Sequence, residues 1–269
     1  MYKRQATRIG AAIAKKLSGP NKEIIIHYNK SKSKAESLKK ELQRKGTKIY
    51  LVKGDLSKET DVNKIHKYNV EFSIALFEKA IEYSIPVKYA SSASVYGKIH
   101  SEYGYLKKTI NPLNFYALSK ATVDYWVLDN MDRFEQVQGF RYFNVYGEGE
   151  EHKGDQASPI SKFTLQAKQN KIIKIFEESE YAFRDFVWVG DVVDVVLDNT
   201  AGSGIYDVGT GDPKSFLEIA ELIAKKEGAE IEVIPFPKHL EGKYQEYTCA
   251  DTSWYSHNYT SVLEYMGMS

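Results

Sequence analysis

The stretch Glu23 to Val52, EIIIHYNKSKSKAESLKKELQRKGTKIYLV, decides the fold class. Its two ends, Glu23 to His27 (EIIIH) and Lys48 to Val52 (KIYLV), are short apolar runs that predict strands. Between them, about Lys32 to Arg44, lies a Lys-rich amphipathic pattern that predicts a helix. Strand, helix and strand in so short a span is the unit of a parallel sheet covered by helices, so the chain is expected to be α/β. Working outward, Arg8 to Leu17 predicts an earlier helix. Val87 to Ser91 (VKYAS) and Gln138 to Phe143 (QGFRYF) predict further strands, with a helix from about Phe115 to Leu128 between them. Gly202 to Gly211 (GSGIYDVGTG) gives a late strand and turn, followed by a helix spaced through Phe216, Ile219, Leu222 and Ile223. No internal repeat, low-complexity segment or Pro-rich linker interrupts the pattern.

The 269 residues are 42% hydrophobic and 13% aromatic, enough to bury a substantial core as one large domain or a domain plus a lobe. Lys and Arg number 37 against 36 Asp and Glu, a net charge of +1. That balance gives no broad footprint for nucleic acid or an anionic membrane, so a small-molecule partner is expected. The single cysteine, Cys249, cannot form an internal disulfide, and neither a cationic leader with an apolar core nor a long apolar run stands out. A cytoplasmic protein without a metal site is expected.

The chemistry concentrates in NFYALSKATVDYW (Asn114 to Trp126), where Tyr116 and Lys120 are four apart and share one helix face. A free tyrosine has a pKa near ~10, and an adjacent ammonium stabilises its phenolate, so such a pair can supply a base near neutrality. The pattern also occurs by chance in many helices. Its context is YASSASVYG (Tyr89 to Gly97), a strand ending in hydroxyls where a parallel sheet presents its carboxyl ends to ligand. Ser91, Ser92 and Ser94 could equally form a solvated turn that caps a helix. Ser92 lies 24 residues before Tyr116, enough to leave the strand, cross a loop and return along a helix beside the same strand end.

With these residues the sequence resembles the extended short-chain dehydrogenase/reductase superfamily, whose Ser, Tyr and Lys match Ser92, Tyr116 and Lys120. FRYFNVYGEGEEHKGDQAS (Phe140 to Ser158), RDFVWVGDVVDV (Arg184 to Val195), YDVGTGDPKSF (Tyr206 to Phe216) and IPFPKHLEGKYQEYTCAD (Ile234 to Asp251) narrow the resemblance to the ADP-heptose 6-epimerases, over about residues 69–251. The resemblance implies a Rossmann-like, doubly wound parallel sheet over residues 1–150 and a smaller substrate-binding lobe over 151–269, with 184–210 returning to the first domain. It also implies a redox isomerisation in which bound NADP takes a hydride from the sugar and returns it to the opposite face. Tyr116 would be the acid/base, Lys120 would lower its pKa and hold the nicotinamide ribose, and Ser92 would bond the oxygen that changes charge. Lys153, matching the family's HKG, would be a second base; taken alone it reads as a solvated loop lysine.

Sugar-nucleotide contacts are implied for Asn144, Asp155, Lys162, Phe176, Arg184 and Tyr244, with the Arg184 fork suited to a diphosphate. At Asp155 and Lys162 the sequence departs from the family's usual residues. A homo-oligomer is also implied.

The first third resembles a different relative, the compact short-chain reductases (Thr7 to Val62). In HYNKSKS (His27 to Ser33), Asn29, Lys30 and Ser31 stand without an acid, which favours NADP over NAD, although an ordinary basic helix start reads the same way. Asp55 would touch the adenine, and Gly10 and Asn69 would be further cofactor contacts. Against the reductase pattern TGxxxGIG, residues 3–10 keep Ile9 and Gly10 and replace the two earlier glycines with Arg4 and Arg8, where backbone amides should approach a pyrophosphate. The first strand and its glycine loop are thus missing from the pattern. A second strand is missing before about Asn69, so a spliced or truncated reading frame is expected, with residues 1–5 foreign to it. The alternative functions are an NADPH-dependent reductase and an inactive product unable to hold a dinucleotide.

Overall fold

The computed structural model describes residues 8–20, 22–28, 32–53, 66–97, 101–102, 105–106, 109–150, 153–154, 157–237 and 245–268. Helix α1 (Arg8–Leu17) leads to strand β1 (Glu23–Tyr28), helix α2 (Lys32–Gln43) and strand β2 (Lys48–Lys53). β1 and β2 pair in parallel, Ile24 beside Ile49 and Ile26 beside Leu51. Helix α2 buries Ala35, Leu38 and Leu42, spaced three and four apart, and these pack on Ile26, Ile49 and Ala14. Each element expected from Glu23 to Val52 is present, within a residue at every boundary.

A π-helical turn (His66–Glu71) runs directly into α3 (Phe72–Glu82), and β3 (Val87–Ser92) follows. A 3-10 turn (Ala93–Tyr96) and a short antiparallel pair, β4 (Ser101–Glu102) and β5 (Tyr105–Leu106), separate β3 from α4 (Phe115–Asp129). Asn114 caps α4 by accepting a hydrogen bond from the Ala117 amide at 2.9 Å. Strand β6 (Val137–Tyr142) then pairs in parallel with β3, Ser91 beside Arg141 and Ser92 beside Tyr142. Gly139 is required there, because a Cβ would stand 2.5 Å from the ring of Tyr89 on β3.

Strand β7 (Asn144–Tyr146) is followed by α5 (Pro159–Asn170) and β8 (Ile172–Phe176). Next come β9 (Phe183–Arg184), β10 (Phe186–Trp188) and α6 (Val189–Asp198), and β10 pairs with β7. Strand β11 (Gly204–Val208) completes a three-stranded parallel sheet in the order β11–β6–β3. Strand β12 (Lys214–Ser215) pairs with β9, α7 (Phe216–Glu227) carries a Ser215–Glu218 capping box, and β13 (Glu230–Ile234) pairs in parallel with β8. A last short helix, α8 (Val262–Tyr265), packs with α5, β8 and α7 around Phe163, Ile173, Ile219 and Ile223.

The parallel strands thus fall into separate sheets, and helix α1 joins two of them. Ala14 packs in the β1–β2 core, while Ile13 packs on the valine-rich core of β6, β10, β11 and α6. Lys16 pairs with Asp194 at 2.9 Å and with Asp198 at 3.0 Å. The Val87 amide bonds the Gln136 carbonyl, so by alternation Lys88, Ala90 and Ser92 turn their backbone groups to the opposite edge of β3. Among the described residues no strand pairs with that edge, or with the edge of β1 away from β2.

Candidate active site

Tyr116 and Lys120 lie together at the start of α4, as their spacing predicts. The Lys120 ammonium stands 5.9 Å from the centre of the Tyr116 ring and donates to the Ala90 carbonyl at 2.8 Å. That carbonyl is one of the groups on the open edge of β3, so a buried lysine satisfies it. Ser92 ends β3 two residues later. Its hydroxyl oxygen accepts from the Ser94 amide at 3.2 Å and from the Ser94 hydroxyl at 3.0 Å, so the capping-turn geometry is present as well. Asn69, in the π-helical turn, donates to the Ser119 hydroxyl at 3.0 Å, between Tyr116 and Lys120 on the helix.

Lys153 pairs with the buried Glu150 carboxylate at 3.2 Å. Glu150 also accepts from the Ser158 amide at 3.0 Å and from the hydroxyls of Ser158 and Ser161, tying the lysine's loop to the start of α5. Lys153 is therefore an anchored, largely buried lysine rather than a solvated one. Lys162 lies in the first turn of α5, Asn144 opens β7 beside Phe186, and Phe176 ends β8 with its ring 5.6 Å from that of Phe236.

Arg184 is buried: its guanidinium donates to the Phe183 carbonyl at 2.8 Å and to the Gln245 carbonyl, and it lies 5.3 Å from the centre of the Phe216 ring. Gly10 is the third residue of α1. Asn29, Lys30, Ser31, Asp55, Asp155 and Tyr244 fall outside the described residues.

Beneath Ser92 runs a buried polar network that motif reading missed. Asp124, one further turn along α4 from Lys120, accepts from Tyr89 at 3.0 Å, Ser91 at 2.8 Å and Arg141 Nε at 2.9 Å. Arg141 also donates to the Tyr96 hydroxyl at 2.9 Å, and that hydroxyl donates to Asp207 at 2.5 Å. Burial, reinforced by the Asp207 carboxylate, pushes the Tyr96 hydroxyl above its ordinary range, which keeps it a donor. For Arg141 burial works downward, but Tyr96 and Asp124 outweigh it and the guanidinium is raised. The four-residue spacing from Tyr116 through Lys120 to Asp124 was the available signal.

Residues 61–209, which include β3, α4 and β6, match the model of the NAD-dependent epimerase/dehydratase family. The chain belongs to that family. It is 42% identical over 205 residues to the ADP-L-glycero-D-manno-heptose-6-epimerase of Alkalilimnicola ehrlichii, a match covering 72% of this chain and 64% of that protein. The match therefore spans less than two thirds of the relative's length.

Among solved structures, the fold is similar to the ADP-L-glycero-D-manno-heptose-6-epimerase of Helicobacter pylori, with TM-score 0.68 and 24% identity over 90% of this chain and 84% of that one. It is also similar to a UDP-N-acetylglucosamine 4-epimerase from Methanobrevibacter ruminantium, with TM-score 0.78 and 19% identity over 98% and 93%. These likenesses show the fold that this family member shares with them. Among the described residues no helix is long and apolar enough to cross a membrane, and no group of three or more His, Cys, Asp or Glu could hold a metal ion.

Proposed function

We propose that this chain acts as a nucleotide-sugar epimerase of the ADP-heptose 6-epimerase type, with NADP as its bound cofactor and NAD as the alternative. The likeness to the heptose epimerase is the observation that carries the reading. The divided domain plan, a cofactor domain to about residue 150 and a substrate lobe beyond it, is part of the same proposal.

The nicotinamide end of a dinucleotide has support in the donor set at the end of β3. Tyr116 offers a hydroxyl, Lys120 a buried ammonium and Ser92 a second hydroxyl on one strand–helix junction. The pyrophosphate end has no such support among the described residues, since α1 begins at Arg8 and Gly10 is already inside the helix. When bound, the dinucleotide would supply a transient hydride acceptor.

Tyr116 would act as acid/base on the sugar hydroxyl in one of the sugar's two orientations, and the Lys120 charge beside it would favour its phenolate. Ser92 would hydrogen-bond the oxygen as its charge changes. Lys153, anchored by Glu150, would handle the proton on the other face. Asn144, Asp155, Lys162, Phe176 and Tyr244 would line the sugar-nucleotide site, while Arg184 would act from beneath it through the Gln245 backbone unless it exchanges that partner for diphosphate.

A homo-oligomer is part of the reading. Phe72 and Leu76 on α3 and Phe115, Leu118 and Tyr125 on α4 are all exposed, and apolar faces on adjacent helices suit a second copy.

The edges of β1 and β3 that no strand among the described residues pairs with favour a second reading, in which the site persists without holding a dinucleotide. One experiment separates the two: titration of the purified chain with NADPH and with NADH by nicotinamide fluorescence, followed by NMR of the C6 configuration of an ADP-heptose. Micromolar NADPH binding, tighter than NADH, and interconversion of the epimers are expected. A folded chain that binds neither dinucleotide and leaves the sugar unchanged would overturn the proposal.

A further inference from the structure

Tyr116, Lys120 and Asp124 form one stripe of α4, but only the first two carry the proposed chemistry. Asp124 is 1% exposed and receives hydrogen bonds from two strands: Tyr89 and Ser91 on β3, and Arg141 on β6. Three donors from two strands set three distances at once, so the helix can neither roll nor slide against the sheet without breaking one of them.

The same network brackets Ser92 in the sequence. Ser91, just before it, donates to Asp124, and Tyr96, at the end of the turn after it, is held between Arg141 and Asp207. Asp207 in turn accepts from the Asp251 amide at 3.0 Å, which extends the network to the C-terminal segment. Among these bonds none ends on the side chain of Ser92, Tyr116 or Lys120. The network touches Ser91, next to Ser92, and Asp124, one helical turn beyond Lys120, instead.

A buried ion pair of this kind is weak evidence for added stability, because apolar side chains of the same volume can stabilise as well or better. What it supplies is directional geometry.

We propose that Asp124 is a positioning residue, fixing the rotation and axial setting of α4 so that Tyr116 and Lys120 meet the end of β3 that carries Ser92. The kinetic part of this inference rests on the epimerase reading; the structural part does not.

Asp124→Asn would leave the buried Arg141 without its carboxylate and endanger folding, so Ser91→Ala and Tyr96→Phe are the primary variants. Ser91→Ala removes one bond of the network and Tyr96→Phe removes two, the one from Arg141 and the one to Asp207, while Asp124 and Arg141 stay paired. A fluorinated tyrosine placed at position 116 reports the local geometry by 19F NMR, with neither cofactor nor substrate needed, and unlabelled protein gives the kinetics.

Expected are a displaced or broadened resonance in both variants and recovery of the native signal in Ser91→Thr, which restores the hydroxyl. In an active enzyme, kcat falls about tenfold, equivalent to ~1.4 kcal/mol, with KM changed less than about twofold. An unmoved resonance in both variants would overturn the proposal, even if activity declines with melting temperature. If the parent chain proves inactive while the resonance still moves, the epimerase reading fails and the positioning role stands.

Discussion

Replacing Asp185 with Asn should destabilise the protein severely while changing almost no volume. Asp185 is fully buried, and its two oxygens receive four hydrogens. Oδ1 accepts from the Thr210 amide at 2.7 Å and the Thr210 hydroxyl at 2.8 Å; Oδ2 accepts from the Gly211 amide at 2.9 Å and the Ala250 amide at 2.8 Å. An asparagine retains one acceptor oxygen and turns the other position into an NH2 group, which faces two donors and can accept from neither.

Two hydrogen bonds to a charged group are therefore lost, at about 1.5–3 kcal/mol each. Some relaxation is expected, which puts the loss near the lower end of that sum, about 3–4 kcal/mol. At roughly 2–4 °C per kcal/mol, the melting temperature should fall by roughly 6–16 °C.

Thermal and urea denaturation measure this, with Thr210→Val as the control: it removes one donor from Oδ1 and the exposed bond from the Asp212 amide, leaves the Thr210 amide bond intact, and should cost about 1.5–2 kcal/mol. An Asp185→Asn protein within about 1 kcal/mol of the parent, or equal to the Thr210→Val control, would refute the claim that all four bonds are made.

Other outcomes follow from the site and its surroundings. On the proposed epimerase reading, Tyr116→Phe should abolish activity and leave dinucleotide affinity nearly unchanged, as read by sugar NMR and cofactor fluorescence; full activity would reject Tyr116 as the acid/base. Gly97→Ala should cost more than about 3 kcal/mol or prevent folding, because Gly97 has φ +61° and a Cβ would lie 1.7 Å from the Asn111 carbonyl oxygen, a backbone atom. Chemical denaturation of that variant checks it, and a change below ~1 kcal/mol would mean that the turn after Ser92 is built differently.

Stability should also decline at alkaline pH. Burial pushes the Tyr247 and Tyr259 hydroxyls up to about 12, so the folded chain holds protons that the unfolded chain releases near ~10, and stability present below pH ~10 is lost as pH rises towards 12. Absorbance titration of phenolate, run alongside melting curves, tests this. Titration of all 20 tyrosines near pH ~10 in a still-folded chain would refute it.

The candidate site divides along the same physical line as the fold. Tyr116 and Lys120 were legible because helical periodicity alone puts residues four apart on one face, and Ser92 because a strand end followed by hydroxyls has a local signature. Lys153 was legible only through resemblance, since nothing near it in GEEHKGD shows that Glu150 would be buried and would hold it. Arg184 looked like a free fork, whereas its guanidinium reaches the carbonyl of Gln245, 61 residues away.

By itself the sequence determined the alternation of strands and helices, the pairing of β1 with β2 around α2, and the Tyr–Lys stripe, because each rests on a period of two or about four residues and on contacts between near neighbours. Tertiary structure alone decided which partner each buried carboxylate has: Asp124 meets Arg141, Asp207 meets the Tyr96 hydroxyl, and Asp185 meets the backbone of 210–211 and 250. The partners in these pairs lie 17 to 111 residues apart. Only the packed sheet excludes water from them and makes an unpaired carboxylate costly, so the requirement that pairs them does not exist until the chain has folded.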